Sequence, residues 1–367
     1  VTSAGIVYTE PFIGLTPPEY GGEPQAVHLT SPANVSVASS GSGKRFTDIV
    51  HHFCLDWDAV MISPKPDLAD CGIGYRADPA LWDDPERVRE WGRQLGIDVR
   101  GITRTRYHLP WGRVMNVDCG QQSAYPSSCY TFLCDIDPHA PTAVSRLFAL
   151  ADACFPRNPQ EKDPFWTLAA QGAFAAAMGH AITYEVNPAR HNFVFVTKRL
   201  LGIDPVTNRA SEALTMRLFR EMALNPSLGG FIAGQGAKLV SLGERTMGPL
   251  MKTIENGLRW VLGDPRMRKV LEGPADFSLE EFGRGKTPLT AFVTPVRGDR
   301  STDAFLSCFL SLALLVWQQR SWTPERPIAL VADEVPNWGG EKVGSTCHTS
   351  LARRVDPESA TRPARAE

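Results

Sequence analysis

The chain has 367 residues, with 38 basic and 40 acidic side chains and a net charge of −2. Its 43% hydrophobic and 21% charged residues exclude global disorder, and its near-neutral charge excludes a polybasic DNA-coating protein. Eight cysteines spread without a dense framework exclude a small disulfide scaffold.

Residues 1–30 are rich in Pro, Gly and Thr, as in Thr16-Pro17-Pro18 and Gly21-Gly22, and are expected to be an irregular lead-in. They carry no basic-then-apolar targeting pattern. Alternation predicts a strand over 33–38, followed by the turn Ser39-Ser40-Gly41-Ser42-Gly43 and a helix over 46–55. The run Ala59-Val60-Met61-Ile62 predicts a buried strand that stops at Ser63-Pro64-Lys65-Pro66. Strand, Gly-rich loop, helix and strand in this order open a parallel α/β sheet. A helix over 85–95 and short strands and loops over 98–115 follow.

From 141 the pattern turns helical. Helices are expected over 143–155, 165–184, 193–201, 211–224, 247–261 and 265–271, as an all-α domain inserted into the sheet. The α/β character returns with a strand over 288–293, a helix over 303–319 and a buried strand over 328–332 that ends in Asp333-Glu334. The tail from 341 to 367 is polar, without apolar periodicity, and reads as disordered. The division is therefore a lead-in (1–30), a nucleotide-binding part (31–140), an all-α insertion (141–275), a second nucleotide-binding part (276–340) and the tail. The apolar stretches 165–186 and 304–317 read as buried helices; the second is shorter than the ~20 residues a membrane span needs.

The chemistry concentrates in Ala38-Ser39-Ser40-Gly41-Ser42-Gly43-Lys44-Arg45, whose centre matches the phosphate loop G-x-x-x-x-G-K-[ST]. Glycines at 41 and 43 let backbone N–H groups turn inward, and the following helix start adds its positive dipole end. Ser40, Gly41, Ser42, Gly43, Lys44 and Arg45 are the candidate nucleotide-binding residues, with Lys44 bridging the β- and γ-phosphates of ATP. Ala38 stands at the first Gly position, and Arg45 where a hydroxyl would meet Mg²⁺; a guanidinium cannot ligate a cation. At the other end, Asp333 is the candidate Mg²⁺ residue and Glu334 the candidate for orienting the attacking water. The two motifs belong on one rim because ligands of open α/β sheets bind outside the strand carboxyl ends.

Several pieces, in order, resemble the TraG/TraD-like coupling proteins of type IV secretion and conjugation. The phosphate loop is followed by Val60-Met61-Ile62-Ser63-Pro64-Lys65-Pro66, similar to the family's Asp-Pro-Lys-Gly-Glu turn with Ser63 in place of Asp. Phe165-Trp166 with Ala169-Ala170, then Leu258-Arg259-Trp260 leading to Asp264-Pro265, then Asp333-Glu334 before Gly339, are similar to its later landmarks. The resemblance implies a RecA-like phosphate-loop ATPase interrupted by an all-α domain and working as a ring of six at the cytoplasmic face of the bacterial inner membrane. It implies relaxase-bound single-stranded DNA or secreted proteins as substrates, and the channel proteins as partners. Against the family pattern the chain reads as cut short at both ends: the membrane helices are missing, and the tail after 341 is off-pattern, as from a truncation or frameshift.

Other constellations carry less. Cys119, Cys129 and Cys134 with His139 lack the C-x₂-C spacing of zinc sites and read as free thiols. His51-His52 has no H-E-x-x-H context, and around Pro138 the alternation of Asp135, Asp137 and His139 reads as a turn. No G-x-S-x-G is present. Arg297 and Arg300, and Lys198, Arg199, Arg217 and Arg220 in the middle helices, read as solvated charges, with a neighbour's phosphate or a substrate as the functional alternative. The favoured reading is an ATP-driven coupling protein. The alternatives are a non-hydrolysing docking adaptor or degenerate fragment, to which Arg45 points, and a helicase-type or segregation translocase.

Overall fold

The computed structural model describes residues 12–15, 26–28, 57–77, 86, 89, 112–157, 160, 164–285 and 287–333. They divide into a sheet unit, made of residues up to Ser127, Glu280–Arg297 and those from Ser321 onward, and a helical unit, Ser128–Leu279 with Gly298–Arg320.

In the sheet unit, β1 (Phe12–Leu15) and β2 (Ala26–His28) form an antiparallel ribbon with Leu15 opposite Ala26. This corrects the expectation of a wholly irregular lead-in. The main sheet holds β3 (Asp58–Ile62), β4 (Arg113–Asp118), β5 (Leu289–Thr294) and β6 (Ile328–Ala332). Its order is β4-β5-β3-β6, and every pairing is parallel. The two inner strands, β3 and β5, are buried along their whole length; in β3 this matches the apolar run Ala59-Val60-Met61-Ile62, while β5 buries Thr290 and Thr294 among its apolar residues. The outer two of these four are more exposed.

Helix α1 (Pro66–Ala77) follows β3 directly. Pro66 at its first position and Asp67 in its first turn favour a helix start. The sequence reading stopped at Pro66 because glycines at 72 and 74 dilute the helical pattern. Near its end, buried Arg76 ties the helix to the sheet: Nε donates to Thr290 Oγ1 at 3.0 Å, and Nη2 to the Trp57 carbonyl at 2.8 Å. At the amino edge of β3, buried Asp58 accepts from the amides of Gly283 and Leu289, fixing the approach to β5. Burial raises the Asp58 carboxyl above its ordinary range against those two hydrogen bonds.

Between β4 and β5 the chain passes through the helical unit. Its elements are α2 (Ala143–Cys154), α3 (Phe165–Tyr184), α4 (Phe193–Leu200), α5 (Glu212–Ala223), α6 (Phe231–Ser241), α7 (Glu244–Gly263) and α8 (Pro265–Leu271). Helix α9 (Arg300–Gln319), between β5 and β6 in sequence, clusters with these helices rather than with the sheet. Residues 128–140, which the sequence division left with the sheet, do so as well. For α9 the reason is its apolar face, with Phe305, Phe309, Leu312 and Val316 buried, which packs on α2. Among the described residues it is the one helix long and apolar enough to cross a membrane by length and composition.

Helix α3 is buried continuously from Ala170 to Ile182 and forms the centre of the unit, with α2, α4, α6 and α7 around it. Phe193 of α4 meets Phe132 at 4.6 Å and Phe174 of α3 at 5.3 Å between ring centroids. Helix α6, absent from the sequence reading, rests on Gly236. A Cβ there would lie 2.3 Å from the Ala223 backbone nitrogen, so only glycine lets α6 approach α5 this closely. The starts of α4, α8 and α9 are set by side-chain caps: Asn192 accepts from the Phe195 amide, Asp264 from Arg266 and Asp299 from Ser301. Among the described residues the expected fold class holds: a parallel α/β sheet interrupted by an inserted all-α unit.

Candidate functional site

The carboxyl edge of the parallel sheet brings four strand ends to one rim, all within the sheet unit. The Asp333 amide donates to the Ile62 carbonyl at 2.8 Å, the Ser63 amide to Val293 at 3.1 Å, and the Cys119 amide to Thr294 at 3.1 Å. These bonds extend the strand ladders by one residue and hold the loop starts in register. Asp333 is half-buried at the end of β6. Beside it, at the end of β3, Ser63 is buried and its Oγ donates to Asp333 Oδ2 at 3.2 Å. The Lys65 amide donates to the same Oγ at 3.3 Å, while the Lys65 side chain is exposed.

At the β4 end, Asp118 is buried and already committed. Oδ1 accepts from the Gly120 amide at 3.1 Å, and Oδ2 from the Ser123 amide at 2.6 Å. The Ser123 hydroxyl donates to Asp70 of α1, which also accepts from the Ala124 amide at 2.9 Å. Asn116 Nδ2 donates to the carbonyls of Tyr125 and Pro126. The 119–127 loop is thus pinned at this end of the sheet, and Asp118 and Asp70 act as its anchors.

Of the residues singled out from sequence, the structure places Asp333 at the predicted carboxyl edge. Ser40, Gly41, Ser42, Gly43, Lys44, Arg45 and Glu334 lie outside the described residues, as do the strand over 33–38, the helix over 46–55, His51 and His52. Ser63 was noted in the sequence only as a departure from a family pattern. That it touches Asp333 follows from the pairing of β3 with β6, which sequence spacing does not contain.

Among the described residues no three His, Cys, Asp or Glu side chains gather as a metal cluster. Cys119 is buried in the sheet unit, whereas Cys129 and Cys134 belong to the helical unit. Asp137 accepts from the His139 amide in the expected turn, but Asp135 is a buried anchor. At the strand-end rim a carboxylate with a hydroxyl beside it is an all-oxygen pair. It suits Mg²⁺, which is held by one or two carboxylates plus substrate phosphates rather than by a protein cage.

The basic residues of the middle helices are largely paired. Arg199 meets Glu185 at 3.3 Å and also contacts Glu221; Arg217 meets Glu221 at 2.8 Å; Lys198 meets Glu272 at 3.7 Å. Arg220, Arg297 and Arg300 are exposed. The same ion-pair network borders His180, which is buried with its ring stacked on Tyr184 and its Nδ1 3.1 Å from Asn225 Nδ2. Burial lowers the His180 pKa from 6.5 to about 4, helped by Arg199 and opposed by Glu221 and Glu185. The unfolded chain therefore binds this proton more tightly than the folded one. Stability is expected to fall as pH drops from 6.5 towards 4, by about 3 kcal/mol from this residue by pH 4. Urea unfolding of the wild type and of His180→Gln across that range measures it; equal pH slopes would refute the assignment.

No protein-family model matches the chain, and no curated protein matches it. Among solved structures it is similar to a bacterial conjugative coupling protein, TrwBΔN70, in an unbound monoclinic form. Identity is 11% and the TM-score 0.43, over 81% of this chain and 60% of that one. It is also similar to plasmid coupling protein TrwB in complex with ADP and Mg²⁺ (13% identity, TM-score 0.42, 86% of this chain and 69% of that one). A third is TrwB with the ATP analogue ADPNP (12%, 0.43, 87% and 70%). The chain spans less than two thirds of the first of these structures.

Proposed function

We propose that this chain binds ATP with Mg²⁺ and is the ATPase core of a coupling protein that feeds DNA or protein substrates into a type IV secretion channel. The observation that carries this reading is the position of Asp333. A phosphate-loop sequence early in the chain requires a strand-end carboxylate on a parallel sheet, and Asp333 stands at the carboxyl end of β6 beside Ser63. In this reading the amides of Gly41 to Gly43, with Ser40 and Ser42, surround the phosphates, and Lys44 neutralises their charge. Asp333 holds the cation and Glu334 orients the attacking water. Bound Mg²⁺ supplies charge neutralisation on the phosphate oxygens as the γ-phosphoryl group leaves.

The coupling role rests on the order of sequence landmarks from Lys44 through Phe165-Trp166 to Asp333-Glu334. Relaxase-bound single-stranded DNA or secreted proteins would be the cargo, channel proteins the partners, a ring of six the working assembly and the cytoplasmic face of the inner membrane the place. Direct measurement of ATP binding and turnover tests the core of the reading. Wild type is expected to bind ATP, and Lys44→Ala to lose at least roughly 100-fold in turnover through lost charge stabilisation. Wild-type protein that binds no ATP would overturn it.

Arg45 favours one second reading, a docking adaptor that binds nucleotide without turnover, since it replaces the hydroxyl that meets the cation. An inactive wild type whose Arg45→Thr variant gains hydrolysis would establish the adaptor.

A further inference from the structure

We propose that Ser63 is a positioning residue for Asp333, supplying from β3 the hydroxyl partner that the phosphate loop lacks at position 45. This rests on the ATP-binding reading above and assigns a role to a residue outside the phosphate loop and the Asp-Glu pair. In a phosphate loop of the usual pattern, the Ser or Thr after the lysine brings a hydroxyl to the cation. This chain has Arg45 there, so any hydroxyl near the strand-end carboxylate comes from another part of the chain.

The geometry points to Ser63 for three reasons. First, its backbone cannot drift: the Ser63 amide is bonded to Val293 of β5 and the adjoining Ile62 carbonyl accepts from Asp333. Second, its hydroxyl is oriented. Oγ accepts from the Lys65 amide at 3.3 Å, which turns its single proton outward, and that proton goes to Asp333 Oδ2 at 3.2 Å. Third, Ser63 is buried at 2% exposure, so water competes poorly for this bond while Asp333 itself stays half-open. The outcome is a carboxylate whose orientation is supported from the neighbouring strand end.

Loss of a hydrogen bond to a charged group should weaken the cation's hold on the site by roughly tenfold or more. The experiment titrates MgCl₂ against the full-length chain bound to a fluorescent non-hydrolysable ATP analogue and reads the Mg²⁺ concentration that gives half of the affinity gain over EDTA. Ser63→Ala and Ser63→Cys, the second nearly isosteric with a weak donor, are expected to raise that midpoint about tenfold. Ser63→Thr, which keeps the hydroxyl, is expected to restore it towards the wild-type value. Thermal unfolding confirms that each variant is folded. A wild-type midpoint in both Ser63→Ala and Ser63→Cys would overturn the positioning role and leave the ATP reading intact. So would a Ser63→Thr variant as impaired as Ser63→Ala. A wild type that binds the analogue neither with Mg²⁺ nor with EDTA would overturn the ATP reading and this role with it.

Discussion

Asp333→Asn is expected to lower ATP turnover by roughly 100- to 1000-fold while leaving the fold in place. Asparagine keeps the shape and an oxygen that can accept from Ser63 Oγ, so the hydrogen bond across the β3 and β6 ends survives. What is lost is the negative charge at the strand-end rim. Among the described residues, the carboxylates at the β4 end of the rim, Asp118 and Asp70, are committed to the amides and hydroxyl of the 119–127 loop. Steady-state hydrolysis with Mg²⁺, alongside thermal unfolding of the same protein, separates the two effects. Turnover within a few-fold of wild type would remove Asp333 from the cation site, and a large fall in unfolding temperature would make it a structural residue.

The largest stability effect is expected at a carboxylate that takes no part in nucleotide chemistry. Asp135 is buried in the helical unit and accepts from the Tyr130 hydroxyl at 2.6 Å, the Ser278 hydroxyl at 2.5 Å and the Leu279 amide at 2.7 Å. Its own carbonyl accepts from Arg146 Nη1 at 2.7 Å. Tyr130 sits among Phe132, Phe277 and Phe309, so its hydroxyl has little access to water once the carboxylate is removed. Burial and the neighbouring carboxylate push the Tyr130 phenol well above its usual pKa, so it stays a donor throughout the accessible pH range. Asp135→Ala is expected to cost about 3–5 kcal/mol, because it strands several buried donors at once. Asp135→Asn, which keeps an acceptor, is expected to cost less. Urea unfolding at pH 7 distinguishes them; an alanine variant within about 1 kcal/mol of wild type would mean that the donors find other partners.

The two carboxylates show where sequence reasoning succeeds and where it stops. Asp333 follows five residues of strand type, and the placement of chemistry at strand carboxyl ends made its position at that edge legible before any coordinates. Asp135 sits in a Pro-containing polar stretch and reads as part of a turn. Its partners Ser278 and Leu279 are more than 140 positions away, so no local pattern could reveal its burial.

Helix and strand periodicity carried the elements over 165–184, 265–271 and 328–332 to their observed limits, because a continuous apolar pattern or a Pro-marked start depends only on neighbouring residues. Local pattern failed for α6, whose glycine is explained by the backbone of α5, and for α1, which is held by Arg76 under β5. It found α9 as a helix but not its place, because the sequence neighbours of α9 are strands while its apolar face is covered by α2. The amino-acid sequence by itself thus determined the parallel α/β class, the inserted helices other than α6 and the position of the strand-end acid, since each is written in short-range periodicity. Only the tertiary structure decided the strand order β4-β5-β3-β6, and with it the contact between Ser63 and Asp333. Parallel neighbours are joined by long crossovers, so which strand ends meet is a property of packing over hundreds of residues.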